Sequence, residues 1–192
     1  MVKKLSAPIW TLIIAGSLLL ILIFWFVGAY NGLIVRSEGV DTAWAQVENQ
    51  YQRRADLIPN LVNTVKGYAA HETNLFTEIT KLRSQWASAT TKEGKINAAK
   101  GLDGALGRLL LVAENYPPLK AGENFLALQA QLEGTENRVA VERKRYNDAV
   151  RAYNIKIKRI PTNIVANMFG YEKETYFEAE EGTEEVPDVS FE

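Results

Sequence analysis

The chain contains no cysteine and a single histidine. The first absence excludes a disulfide scaffold, a thiolate zinc site and a cysteine nucleophile. The second excludes a multi-histidine metal centre within one subunit. A strong charge of one sign is lacking too. A net charge of -1 does not fit a general nucleic-acid binder, which would be clearly basic. H-E-x-x-H, G-x-S-x-G and P-loop patterns are missing as well. His71 is followed by Glu72, but neighbours in sequence point to different sides of a helix and form no acid–base dyad. The sequence thus offers no catalytic, cofactor-binding or metal-binding residues. The expectation is a non-enzymatic protein without a cofactor.

What is present is unevenly spread. No charge occurs between Lys4 and Arg36, and the chain is almost continuously apolar from Pro8 to Gly28. About 20 apolar residues in a helix cross a ~30 Å hydrocarbon core. A secretory leader has a shorter apolar region, about 7–15 residues, and a small-residue cleavage site. Val27-Gly28-Ala29, set against bulky aromatics, is a poor one. Residues 8–30 are therefore read as a retained transmembrane helix. Lys3 and Lys4 precede it, whereas Arg36 is followed by Glu38 and Asp41. Basic residues stay on the cytoplasmic side, so residues 1–7 are expected there and the remaining chain outside the cytoplasm. Trp10, Trp25, Phe26 and Tyr30 fall where interfacial aromatics belong. Gly28-x-x-x-Gly32 reads either as a flexible exit from the bilayer or as a close helix contact.

Apolar residues then alternate at spacings of three and four: Val40, Trp44, Val47, Tyr51, Ile58, Leu61, Val65, Tyr68, Leu75, Ile79, Leu82 and Trp86. Such a stripe faces a partner helix in bundles and coiled coils. Arg54 fills one stripe position and Glu72 another. The phase carries across Pro59, which removes a backbone hydrogen bond. The segment is either one long kinked helix or two helices meeting near Asp56–Asn60. Ser88–Gly94 has loop composition. A shorter helix follows with Leu102, Leu106, Leu109 and Ala113 on one face, weakened by Gly101, Gly104 and Gly107 and ended by Tyr116-Pro117-Pro118. A last long helix runs from about Gly122 to Arg159, carrying Phe125, Leu128, Leu132, Val139, Tyr146, Val150, Tyr153 and Ile157. The fold class is all-α. A transmembrane helix leads into an elongated antiparallel bundle of three or four helices over residues 31–170.

Residues 171–192 form an acidic tail. From Glu172 onward it has nine carboxylates and one lysine, net -8, leaving about +7 on the rest. Blocks of like charge are usually solvated, but Tyr176, Phe177, Val189 and Phe191 are apolar anchors suited to docking. A basic surface is at hand in Arg138, Arg143, Lys144, Arg145, Arg151, Lys156, Lys158 and Arg159 of the last helix. That surface is also suited to anionic lipid headgroups.

Two further clusters stand out. Arg53, Arg54, Asp56 and Asn60 surround Pro59. They either satisfy the backbone groups that proline leaves open or hold an anion through forked guanidinium donors. Tyr146-Asn147 and Tyr153-Asn154 lie seven residues apart, on one helical stripe. A buried tyrosine needs one partner for its hydroxyl, which a nearby asparagine can supply, so the pairs read as a structural network, with a ligand site as the alternative.

Taken together, these features resemble the LemA family of bacterial membrane proteins. The likeness rests on the single span before Tyr30-Asn31, Val40-Asp41-x-Ala43-Trp44-Ala45-Gln46-Val47, and the run Gln52–Val62. It continues with Val65–Glu72, Glu114-Asn115-Tyr116-Pro117, Asn124-Phe125, Arg145–Asn154, Pro161-Thr162-Asn163, Tyr176-Phe177 and Val186-Pro187-x-Val189. Residues 90–110 carry little of it. The resemblance implies a four-helical bundle held by one span in the bacterial inner membrane, with no agreed enzymatic activity and no catalytic residues to carry over. A magnetosome-associated relative implies shaping or maturing of membranes; other members are associated with a membrane metalloprotease and envelope stress. The expected function is a membrane-anchored scaffold that self-associates and organises or remodels the envelope membrane. The alternative is an adaptor for an envelope protease. The expected partners are the lipid bilayer, further copies of the chain and, on the alternative, the protease, with no nucleic acid.

Overall fold

The structure is a computed structural model that describes residues 7–177. Among these residues six helices follow in order: α1 (Ala7–Lys66), α2 (Thr73–Ser88), α3 (Lys92–Glu114), α4 (Pro117–Lys120), α5 (Glu123–Lys158) and α6 (Thr162–Met168). No strand occurs among the described residues. The chain forms two compact units. One comprises α1 as far as Thr42, α5 from Asp148, α6 and the residues to Glu174. The other comprises Ala43–Asn147 together with residues 175–177.

In the first unit, the apolar stretch of α1 leaves Leu12, Leu18, Leu22 and Phe24 exposed. A patch of that extent in water would drive aggregation. Among the described residues α1 is the one helix long and apolar enough to cross a membrane. Beyond it, Ala29 and Leu33 pack against Val165 and Ala166 of α6, with Phe26, Tyr30, Ile157 and Tyr171 around them. Two residues after α6, Gly170 has a φ of 72°, the left-handed conformation that suits glycine after a helix. There the Tyr171 N–H donates to the Ala166 carbonyl at 3.0 Å.

The second unit is a helical bundle. Trp44, Val47, Tyr51, Ile58, Leu61 and Val65 of α1 are buried, as are Ile79 and Trp86 of α2, Leu102, Leu106 and Leu109 of α3, and Phe125, Leu132, Val139 and Tyr146 of α5. Each large apolar side chain contributes about 1.5–3 kcal/mol on burial. The two sequence alternatives at Pro59 are decided in favour of one helix, since α1 continues through the proline. The break comes later, at residues 67–72. There the stripe slips: Ala69 and Phe76 are buried, while Tyr68 is exposed. The Tyr68 and Ala69 amides both turn back onto the Val65 carbonyl, at 3.0 and 2.9 Å. Gly67, with its low helix propensity, opens this turn.

Gly101 is more than a weak point in α3. A Cβ there would lie 2.8 Å from Cδ2 of Leu82, so glycine leaves room for that side chain of α2. Thr91 caps α3 by accepting the Gly94 N–H at 3.1 Å, a normal N-cap bond. Pro117 starts α4 at a position where its missing N–H costs nothing.

Candidate functional site

The structure separates the residues around Pro59. Arg53, Asp56 and Asn60 are exposed, and Asp56 accepts a hydrogen bond from the Gln52 carboxamide at 2.9 Å rather than pairing with an arginine. Arg54 turns the other way and is only 3% exposed. Its guanidinium lies 2.8 Å from an Asp103 oxygen and 2.5 Å from Glu136. Asp103 also pairs with Arg143 and accepts from the Tyr51 hydroxyl at 2.9 Å. Arg143 in turn donates to that hydroxyl oxygen. Two guanidinium groups face two carboxylates, which is the balance that buried charges require.

The group that answers Pro59 comes from another helix. A proline deprives the carbonyl four residues earlier of its donor, and that carbonyl belongs to Ala55. Arg83 of α2 donates its Nε to it at 3.1 Å. The expectation that neighbours in the Arg53–Asn60 cluster fill this role is therefore corrected. Arg83, Asp103 and Glu136 do not stand out in the sequence, and Tyr51 and Arg143 do so only as a stripe residue and a basic-surface residue. One signal for the network was present: Glu136 and Arg143 occupy the gaps between Leu132, Val139 and Tyr146 on the apolar stripe.

The tyrosine–asparagine pairs hold the start of the acidic tail. In the second unit, the Tyr146 hydroxyl donates to the Thr175 carbonyl at 2.8 Å. Asn147 donates to the Phe177 carbonyl and accepts the Phe177 N–H, both at 2.8 Å. A carboxamide carries both a donor and an acceptor, so it matches both backbone groups of one residue. The Phe177 side chain is 4% exposed. It stacks on Tyr51, and the Arg143 guanidinium lies 4.4 Å from its ring centre. Tyr146 also meets Trp44 edge-on at 5.2 Å. Tyr176 is only partly buried.

The first unit repeats the device. Asn154 donates to the Glu174 carbonyl at 2.9 Å and accepts its N–H at 3.0 Å, and the Tyr153 hydroxyl donates to the Glu172 carbonyl at 2.9 Å. Burial pushes the Tyr153 phenol above its ordinary value, with Glu174, Tyr171, Asp41 and Glu172 adding to the effect. Tyr171 is raised as well, by burial and by Tyr30. The sequence leads one to expect asparagines that complete the tyrosine hydroxyls; they grip tail backbone instead. Val189 and Phe191 lie outside the described residues. His71 is exposed in the turn after α1. No group of three or more metal-ligating His, Asp or Glu residues occurs among the described residues.

Residues 43–191 match the model of the LemA family. The chain belongs to the LemA family. The matched stretch contains the Arg54–Asp103–Arg143 network and both tyrosine–asparagine pairs, so these are parts of the LemA region and not additions to it. The chain is similar to magnetosome proteins MamQ 1 and MamQ 2 of Paramagnetospirillum magneticum. Each is 30% identical over 175 residues, covering 78% of this chain. That alignment spans 64% of the relatives' own length. It is also similar to Protein LemA of Metamycoplasma hominis, at 26% identity over 159 residues, 82% of this chain and 73% of that protein. Together with the apolar α1, these likenesses make this LemA-family chain a membrane protein.

Proposed function

We propose that this protein is a non-enzymatic, membrane-anchored helical scaffold that self-associates and organises or remodels the bacterial envelope membrane. The observation that carries the reading is that one helix, Ala7–Lys66, supplies both the membrane-crossing stretch and the first apolar stripe of the bundle. A bundle tied in this way to lipid is suited to transmitting or templating membrane organisation. That two relatives are named as proteins of a magnetosome is in keeping with a role at a membrane. We place the amino terminus in the cytoplasm and the bundle outside it, in the inner membrane. The Arg54 network and Arg83 hold bundle geometry, and the tail is a docking segment.

Crosslinking of the full-length protein in native membranes tests this reading. Scaffolding yields a ladder of homo-oligomers. A one-to-one adduct with an envelope protease, and no ladder, replaces it with adaptor work.

A further inference from the structure

Within the first unit, the end of α5 and part of α6 pack on one side of α1 where its apolar stretch ends. Counting about 20 residues for the hydrocarbon core, a helix entering at Pro8 leaves near Val27–Gly28. Phe169, just after α6, packs on Phe26 and Tyr30 with ring centres 6.1 and 4.6 Å away. Val165 and Ala166 pack on Ala29 and Leu33. These contacts set α6 against the last turns of the apolar stretch.

The other side of this segment is wrong for water. Residues 160–171 carry no charge. Ile160 and Met168 are 83% and 67% exposed, and Ile164 and Phe169 are exposed as well. A surface helix in water presents a polar outer face. A segment that lies in a membrane interface instead buries an apolar face about 5–10 Å deep, with Lys and Arg on its polar side drawn to anionic headgroups. Lys156, Lys158 and Arg159 immediately precede the uncharged segment and supply such basic groups beside it.

A groove of about 610 Å³ lies beside it, lined by Asn31, Gly32, Arg36, Lys156 and Arg159 among others, with no carboxylate in its lining. The Lys156 side chain lies over Gly32, its Nζ 3.5 Å from where a Cβ would stand. No ion pair to Arg36, Lys156 or Arg159 occurs among the described residues. Asn31 and Arg36 follow Gly28 by about 5–12 Å along the helix, the depth of the headgroup layer.

We infer that residues 156–169 form a foot seated in the same bilayer that α1 crosses, with Ile160, Ile164, Met168 and Phe169 in the interface and Arg36, Lys156 and Arg159 around the phosphate of an anionic phospholipid. Charge complementarity and direct packing on the apolar stretch both specify lipid as the occupant. The inference rests on α1 spanning the membrane.

The native chain has no cysteine, so single nitroxide labels can be placed cleanly. The full-length protein is reconstituted in nanodiscs of phosphatidylcholine and phosphatidylglycerol with labels at L20C, I164C or M168C. Collision with a water-soluble nickel chelate should fall several-fold at Ile164 and Met168 relative to a label on a free peptide, and further still at Leu20. Free-peptide accessibility at both foot positions, with Leu20 shielded, overturns the foot while leaving the span intact. Accessibility at Leu20 overturns the span and the foot together. Native mass spectrometry of the full-length protein should show phosphatidylglycerol retained several-fold over phosphatidylcholine. An R36Q/K156Q/R159Q variant should lose that preference. Equal retention of both lipids by the native chain overturns the headgroup site.

Discussion

Arg83 Nε donates to the Ala55 carbonyl at 3.1 Å, the acceptor that Pro59 leaves without its helical partner. The contact joins α2 to α1 at the point where α1 lacks a bond of its own. R83A should destabilise the bundle by about 1–3 kcal/mol, the usual cost of a buried group left unpaired. P59A restores a backbone donor, so the loss from R83A should shrink in a P59A background. Denaturant unfolding of the four chains of this cycle measures the coupling. Additive losses count against it.

Adjacent arginines should behave in opposite ways. Removing one partner of a buried ion pair costs about 3–5 kcal/mol. R54A should approach but not exceed that range, because Asp103 keeps Arg143 and Tyr51 and Glu136 is half exposed. R53A and D56A change exposed side chains and should stay within about 0.5 kcal/mol. Thermal melts of the three variants decide it. Equal losses at Arg53 and Arg54 contradict the assignment.

The clamp on Phe177 is mainly a backbone clamp, with one aromatic anchor. N147A removes both bonds to the Phe177 backbone and should cost about 1–3 kcal/mol. F177A should fall toward the lower end of the ~3–5 kcal/mol expected of Phe→Ala, since a terminal segment can detach instead of leaving a cavity. Y176A should cost less than F177A. Hydrogen exchange at residues 175–177 should quicken in N147A and F177A. Unchanged protection in both would show that other contacts hold the segment.

Alkali should loosen the protein at Tyr153. Its folded-state pKa is raised above the ordinary 10.0, so the unfolded chain loses the phenolic proton first. The associated stability is fully present below pH 10 and is lost as pH rises from there through the folded value. A plot of melting temperature against pH should turn down in that window, and less steeply in Y153F. Identical slopes would assign the alkaline loss to other groups.

Orientation is open to a direct chemical check. An S190C variant should react with an impermeant maleimide added to intact cells or spheroplasts. Reaction only after membrane rupture reverses the proposed orientation.

Much of the fold is legible as local periodicity. The charge-free stretch after Lys4, the three–four spacing through Val65 and the alternation from Phe125 to Tyr153 each depend on a helix burying one stripe. Spacing alone puts Arg54 on that stripe, and a charge there implies a buried partner. Which partner it takes is a different kind of fact. Asp103 and Glu136 lie far along the chain on separate helices, and only packing brings their carboxylates to one guanidinium. Arg83 is the sharper case. Proline announces a missing bond in its own neighbourhood, which makes nearby side chains its natural replacements. Exposed side chains on the same helix cannot reach a buried carbonyl, whereas a residue from the facing helix can. The tyrosine–asparagine spacing likewise places all four side chains on or beside one stripe. That the asparagines turn to the tail and not to their neighbouring tyrosines is decided by a tail backbone lying within reach, whose donor and acceptor fit both ends of a carboxamide.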